Sequence, residues 1–220
     1  MSERKLGEIE AVRSKSSQLL IEIAGAAIFG ALSVVVGAFL APNIPRIAGW
    51  FIAIVDPISI IWVACFLIFG VRAGILCSVV GSVGLMPFDP TGWIGPSMKL
   101  AATISLILVP IIFLKLYRRE TGIVNSQKLK RPKNYIVYGI LGTILRIGVM
   151  EILNVIAYLT AFANYAGYIS LAFLGLPQIT GMTAILIGAP LINAWQSVLD
   201  LLIPYLLVFT TKLDKKFEIW

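Results

Sequence analysis

Residues 19–41 read LLIEIAGAAIFGALSVVVGAFLA, an apolar stretch with a single charged side chain, that of Glu22. A helix needs about 20 predominantly apolar residues to cross the ~30 Å hydrocarbon core of a bilayer. Such a helix makes its backbone hydrogen bonds within the segment, as an apolar solvent requires. The stretch therefore predicts a membrane-spanning helix, which Pro42 and Pro45 close.

The whole chain has the same apolar character. Of its 220 residues, 59% are hydrophobic and 13% are charged, and its mean hydropathy is +0.93. Soluble domains carry about 25% charged residues, so this composition predicts an all-α membrane protein. We expect a bundle of six transmembrane helices, with approximate bounds at residues 19–41, 52–69, 73–85, 96–117, 135–162 and 190–211. We interpret the glycine-interrupted residues 167–188 as an external connection with partly helical or re-entrant structure.

The distribution of basic residues orients this bundle. Fourteen of the 18 Lys and Arg residues lie in three segments, residues 4–15, 115–133 and 212–216. The positive-inside rule places such segments in the cytoplasm, and six spans put both termini on that side. We therefore expect a cytoplasmic N-terminal segment, one transmembrane domain with a cytoplasmic basic loop, and a cytoplasmic tail. These parts cover residues 1–18, 19–211 (the loop at about 118–134) and 212–220.

Several classes of function are disfavoured by composition. Histidine is absent, which removes a Ser-His-Asp triad and imidazole metal ligands. Cys65 and Cys77 lie in apolar stretches and are interpreted as small buried hydrophobes rather than a disulfide or metal site. The net charge of +7 follows the membrane topology, so we expect no nucleic-acid partner. We also expect no enzymatic activity, no metal and no cofactor.

Polar side chains interrupt the predicted helices. An ionisable group within lipid costs about 2.5–3.5 kcal/mol on insertion scales and is a candidate functional residue by default. The predicted topology places six polar residues at one depth, near the outer ends of four helices: Asp56, Lys99, Glu151, Asn154, Asn193 and Gln196. Aromatic side chains in the loops above can cover a planar ligand: Trp50, Phe51, Phe88 and Trp93. We interpret this set as a small-molecule site, although Trp50 and Trp93 could equally anchor the chain at the membrane interface.

The helical spacing of the polar residues also admits a structural interpretation. Asn193, Gln196 and Asp200 stand at i, i+3 and i+7, which places them on one helix face. Arg146 lies at a greater depth and can pair with Asp200, and we interpret that pair as structural. Interhelical hydrogen bonds, together with an ion pair of Lys99 with Asp56 or Glu151, could simply hold the bundle together.

Small residues mark one side of the first predicted helix. Ala24, Ala27 and Ala31 fall on one stripe, and small residues at this spacing let another helix approach closely. The stripe either packs within the bundle or docks a separate membrane protein, and the sequence leaves both open.

Short motifs along nearly the whole chain resemble, in order and spacing, the substrate-binding S component of energy-coupling factor vitamin transporters. Residues 27–31 (AIFGA) are similar to the AxxxA motif by which that family docks on its coupling subunit. Residues 69–74 (FGVRAG) resemble its turn between helices 2 and 3, and residues 95–100 (GPSMKL) resemble the start of its fourth helix.

Two further segments resemble the riboflavin type of this family. They are residues 56–59 (DPIS) and 190–196 (PLINAWQ), in which Gln196 stands where that type has a lysine. The resemblance implies that Asn154, Asn193 and Gln196 hydrogen-bond the vitamin. It also implies a multi-pass protein of the plasma membrane that captures the vitamin from outside and docks on a transmembrane coupling subunit driven by two ATPase subunits. The sequence has no G-x-x-x-x-G-K-[ST] phosphate-binding loop, so ATP hydrolysis would come from those partners.

Other functions remain open at the level of sequence. An S component for thiamine, pantothenate, biotin or folate would share the same features. A stand-alone secondary transporter is disfavoured because the two halves show no convincing inverted repeat. An intramembrane enzyme would need Glu151 and Asp200 as acid and base, with no histidine or metal cluster to assist them.

Overall fold

The computed structural model describes residues 3–116 and 125–217. Its helices are α1 (Glu3–Val35), α2 (Pro57–Phe69), α3 (Val71–Leu85), α4 (Ile94–Leu116), α5 (Asn125–Lys130), α6 (Pro132–Leu159), α7 (Gly181–Thr210) and α8 (Leu213–Phe217). The α1 helix continues through a π-helical turn, Val36–Leu40, and a 3-10 turn, Ala41–Asn43. A small antiparallel sheet pairs β1 (Ser170–Leu171) with β2 (Leu176–Thr180), and 3-10 turns flank β1 at Ala163–Tyr168 and Ala172–Leu174.

Within the described residues, four helical stretches are long and apolar enough to cross a membrane: Lys15–Asn43, Ile94–Leu116, Pro132–Leu159 and Gly181–Thr210. The predicted all-α class is therefore confirmed, and these helices are consistent with a membrane protein. The α2 and α3 helices are apolar but shorter, with 13 and 15 residues. At 1.5 Å per residue they extend about 20–23 Å, less than a hydrocarbon core. The count of six spans stays a prediction.

Helix α2 forms the centre of the bundle. It packs against α1, α3, α4 and α7, and ten of its 13 residues are buried. A helix that is apolar on every side belongs in such a central position. Gly70 connects α2 directly to α3 with a φ of 94°, a conformation that a residue without Cβ adopts readily.

Helix α1 divides its small residues between two faces. Gly25, Ala26 and Gly30 are buried, and an added Cβ at the two glycines would meet Phe69 of α2 and Val80 of α3. The absence of side chains here lets three helices approach closely. The other stripe of small residues, formed by Ala24, Ala27 and Ala31, is exposed.

Residues 44–56 and 160–180 cover the end of the bundle at which α2 and α7 begin, which we call the capped end. The two segments are joined through Trp50, which is 5% exposed. Its indole Nε1 donates to the carbonyl of Ser170 at 3.0 Å, and its ring packs with Leu171 and Ile185. A residue this buried is not an anchor at the membrane interface, so that interpretation of Trp50 is wrong.

The predicted start of the last long helix is also wrong. The α7 helix begins at Gly181 instead of Pro190, so residues 181–188 belong to the helix and not to the connection before it. Its first turns are held by buried Ala184 and Ile185, which pack in the cluster around Trp50. This packing outweighs the one backbone hydrogen bond that a proline inside a helix removes.

Smaller differences affect the other boundaries. The second helix starts at Pro57 instead of residue 52, because Arg46 and Ala53 pair as an antiparallel bridge and the chain turns between them. The first helix extends back to Glu3, and the fifth predicted helix covers Pro132–Leu159 instead of 135–162. The basic loop includes a short helix, α5. Part of that loop, residues 118–124, and residues 218–220 of the tail lie outside the described residues.

Candidate ligand-binding site

Asp56 caps the start of α2 and forms the first part of the site. Its Oδ1 accepts a hydrogen bond from the backbone N–H of Ile58 at 3.1 Å, and its Oδ2 accepts one from the Ser59 hydroxyl at 3.0 Å. The Lys99 ammonium of α4 lies 2.6 Å from the same Oδ2. Thr103, one turn further along α4, donates to Ser59 Oγ at 3.2 Å. Of the two ion pairs that the sequence allows for Lys99, the structure forms the one with Asp56.

Arg146 of α6 organises the second part of the site. Its Nη1 lies 2.6 Å from Asp200 Oδ2, its Nε donates to Asn193 Oδ1 at 3.3 Å, and its Nη2 donates to Gln196 Oε1 at 3.3 Å. The three partners are the i, i+3 and i+7 residues of α7, and the predicted common face is confirmed. Arg146 is 2% and Asp200 0% exposed, so the guanidinium is fully enclosed.

The two amide side chains fix this arrangement to the backbone. Asn193 donates through Nδ2 to the carbonyl of Ala189, one turn earlier in α7, at 2.9 Å. Gln196 donates through Nε2 to the carbonyl of Ala53 at 3.1 Å. Since Ala53 lies three residues before Asp56, Gln196 links the Arg146 group to the segment that leads into α2. The two polar groups therefore belong to one region of the capped end.

The charges of this region are balanced. Lys99 and Arg146 are each paired with one carboxylate, those of Asp56 and Asp200, and three of the four side chains are buried. The Lys99 side chain is 31% exposed, so it is the most solvent-accessible of these four charged side chains. Buried ion pairs require additional hydrogen bonds to offset their desolvation, and the amides of Asn193 and Gln196 supply two of them.

One buried acceptor in this region has no donor. The second carboxylate oxygen of Asp200, Oδ1, has no hydrogen-bond partner among the residues that the structure describes. A buried acceptor without a donor costs about 1–3 kcal/mol and calls for a water or ligand partner. The arrangement can therefore accept a hydrogen bond from an N–H or O–H group placed beside Arg146.

Glu151 and Asn154 lie further along α6, toward the capped end. Asn154 is 5% exposed and donates through Nδ2 to the carbonyl of Met150 in its own helix at 2.8 Å. Glu151 is half-buried, and its Oε2 has no hydrogen-bond partner. Neither residue makes a hydrogen bond to Lys99 or Arg146 among the described contacts. They share a helix with Arg146 but do not join its network.

The aromatic residues predicted to cover a ligand separate into two groups. Trp50 is buried in the cap, whereas Phe51, Phe88 and Trp93 are 65%, 58% and 66% exposed. Phe51 makes an edge-to-face contact with Tyr165, with ring centroids 6.4 Å apart. The exposed rings surround the capped end without enclosing the polar groups.

The predicted pair of Arg146 and Asp200 forms, with Nη1 and Oδ2 2.6 Å apart, whereas one further residue was overlooked. Arg146 also donates to Asn193 and Gln196, so this pair belongs to the same hydrogen-bond network as two of the predicted ligand-binding residues. Trp195 was not considered, and its indole donates to the carbonyl of Ile54 at 3.1 Å. The position of Trp195 between the polar residues Asn193 and Gln196 was the available signal.

A depression of about 390 Å³ opens on the surface beside this contact. Its walls come from the loop before α2 and from α7, and include Arg46, Ile47, Ile54, Leu191, Ile192 and Trp195. Its size falls within the range typical of small-molecule pockets, and its walls are mainly apolar. It adjoins the helix turn that carries Asn193 and Gln196. Comparison of the chain with protein-family models, with curated proteins and with solved structures finds no match in any of the three.

Proposed function

We propose that this chain is the vitamin-binding S component of an energy-coupling factor importer, a six-span protein of the plasma membrane with both termini in the cytoplasm, and that its substrate is riboflavin. The observation that carries the proposal is the buried polar network of Arg146, Asp200, Asn193 and Gln196. Ionisable side chains within a lipid-embedded bundle cost free energy to insert, and a buried cluster of them therefore indicates a substrate site more often than a simple packing contact.

The incomplete hydrogen bonding of the network supports a ligand site over a purely structural role. A network that only fastens helices together is most stable when every polar atom has a partner. Here the Oδ1 atom of Asp200 has none. A ligand that brings an N–H or O–H donor would complete the set.

The pairing of charges favours a neutral substrate. Both cations of the region, Lys99 and Arg146, already have a carboxylate partner within 2.6 Å. A ligand carboxylate would have to displace Asp56 or Asp200, which would leave that buried charge unpaired. Riboflavin is uncharged at neutral pH and offers N–H and O–H donors, whereas pantothenate, biotin and folate carry carboxylates. Thiamine, a cation, is the remaining competitor.

The exposed stripe of α1 supports the docking part of the proposal. Ala24, Ala27 and Ala31 are exposed, whereas the glycines of the other side provide the close contacts of α1 with α2 and α3. A coupling subunit could approach this stripe closely. The ATPase subunits would supply the energy.

The proposal is tested by titrating riboflavin into the purified, flavin-free protein in detergent and recording flavin fluorescence. Quenching that saturates near one equivalent is expected. Asn193→Ala and Gln196→Ala should each weaken binding by about 5–150-fold, because each removes a buried hydrogen-bonding group worth about 1–3 kcal/mol. Gln127→Ala, at the opposite end of the bundle, is the matched control and should bind as the unaltered protein does.

The negative outcomes differ in what they exclude. An absence of quenching, combined with thermal stabilisation by thiamine or another vitamin, would exclude riboflavin but leave the S-component function standing. Uptake of a solute by this chain alone in liposomes, without ATPase subunits, would contradict the S-component function and identify a secondary transporter.

A further inference from the structure

A second pocket lies at the end of the bundle opposite the cap, which we call the basic end. It is formed where α5 and α8 fold against the bundle: α5 packs on α2 and α6, and α8 packs on α2 and α7. The pocket has a volume of about 350 Å³, and its lining residues are Gln127, Lys130, Arg131, Asp214 and Lys215. Nothing in the proposed vitamin-binding function uses it.

The framework of this pocket is well fixed. The Lys130 ammonium lies 2.9 Å from Asp214 Oδ2 and 5.7 Å from the centroid of the Phe209 ring. The carbonyl of Lys130 accepts a hydrogen bond from the Tyr205 hydroxyl at 2.8 Å. These contacts tie the short α5 helix to the last transmembrane helix, so the pocket keeps its shape without a ligand.

The pocket combines two kinds of polar group. Among the described residues, Lys130, Arg131 and Lys215 line it together with one carboxylate, that of Asp214, which pairs with Lys130; this lining favours an anion. Asp214 is 5% exposed, and its Oδ1 is buried with no hydrogen-bond partner in the described part of the chain. A matching ligand therefore carries a negative charge for the cations and a separate hydrogen-bond donor for Asp214.

The position of the pocket indicates where such a ligand comes from. The α6 span begins at Pro132 and the α7 span ends at Thr210, next to the lining residues in sequence. The pocket thus lies level with the end of the apolar region, where the headgroups of a bilayer leaflet would be. The positive-inside rule assigns this end to the cytoplasmic leaflet, where basic residues contact phospholipid headgroups.

We propose that this pocket binds a phospholipid headgroup that carries a hydrogen-bond donor beyond its phosphodiester. The phosphodiester contacts Lys130, Arg131 and Lys215, and an ammonium or hydroxyl group of the headgroup donates to Asp214 Oδ1. Phosphatidylethanolamine and phosphatidylglycerol meet this requirement. Phosphatidylcholine does not, because its quaternary ammonium has no N–H.

The test uses the full chain in detergent and water-soluble dihexanoyl phospholipids, with thermal stabilisation as the readout. The ethanolamine and glycerol headgroups should stabilise the protein saturably, with an apparent affinity about tenfold higher than the choline headgroup, since one charge-assisted hydrogen bond distinguishes them. Lys215→Gln should lower the affinity by about tenfold. Lys133→Gln, an equal change of charge at an exposed residue outside the pocket, should leave it unchanged.

Asp214→Asn tests the role of the carboxylate. The variant should still bind the phosphodiester but should lose the preference for ethanolamine over choline. If this variant does not fold because Lys130 loses its partner, the comparison of Lys215→Gln with Lys133→Gln still tests whether this pocket binds the phosphodiester. Equal stabilisation by the three headgroups, an equal effect of both lysine variants, or no stabilisation at all would overturn the proposal. Saturation of the same effect by inorganic phosphate would assign the pocket to a soluble phosphate instead of a lipid.

Discussion

Replacing Arg146 by methionine tests the buried network most severely. The substitution removes the Nη1 donor to Asp200 Oδ2 and one donor each from Asn193 and Gln196, at a residue that is 2% exposed. Breaking a buried ion pair from one side costs about 3–5 kcal/mol, because an uncompensated charge remains. For a chain of this length the melting temperature should fall by roughly 6–20 °C.

A double variant separates the cost of an unpaired charge from the value of the pair. Arg146→Met combined with Asp200→Leu removes both charges and should recover most of the lost stability, since apolar residues often replace a buried pair without loss. Thermal unfolding in detergent, followed by intrinsic tryptophan fluorescence, provides the free energies for the cycle. Lys133→Met, at an exposed position, serves as the control. A single Arg146 variant within about 1 kcal/mol of the unaltered protein would refute the reasoning.

Three other substitutions test individual contacts. Lys99→Met leaves the buried Asp56 carboxylate unpaired. Since Lys99 is about one-third exposed, solvent screening limits the loss of unfolding free energy to about 1–2 kcal/mol, measured by chemical unfolding. No loss of stability would mean that the pair is not formed. Gly188→Ala places a methyl group against the Trp50 ring and should cost about 1–3 kcal/mol; an unchanged melting temperature would contradict this packing of the cap. Ala27→Leu lies on the exposed stripe of α1 and should change stability by less than about 0.5 kcal/mol. It should nevertheless abolish copurification with a coupling subunit, and retained copurification would remove the stripe from the docking surface.

The apolar helices could be predicted from sequence because their length and composition reflect one requirement, the thickness of the bilayer. The residues at which these helices begin and end were predicted less accurately. The glycines of residues 167–188 favour a connection before Pro190, but contacts of Trp50 with buried residues that precede Pro190 extend α7 to Gly181. That packing joins segments more than 100 residues apart, and no local pattern reveals it.

The candidate site was predictable in its residue types and in its ion pairs, but not in the hydrogen bonds that connect them. Helical spacing brought Asn193, Gln196 and Asp200 onto one face, because those residues share a helix. Arg146 comes from a different helix, and its depth relative to α7 depends on how the two helices are offset. Its pairing with Asp200 is expected from the sequence, but its hydrogen bonds to both amides depend on that offset, which spacing within one helix does not give.

The most direct test of the central claim compares ligand binding by the unaltered protein and by the double variant with Arg146→Met and Asp200→Leu. Equilibrium titration of riboflavin should give one saturable site in the unaltered, flavin-free protein and no saturable binding in the double variant, although both proteins show a cooperative unfolding transition. That result would establish the buried network as a ligand site. Equal binding by the two proteins would contradict the account and leave the network as an interhelical contact alone.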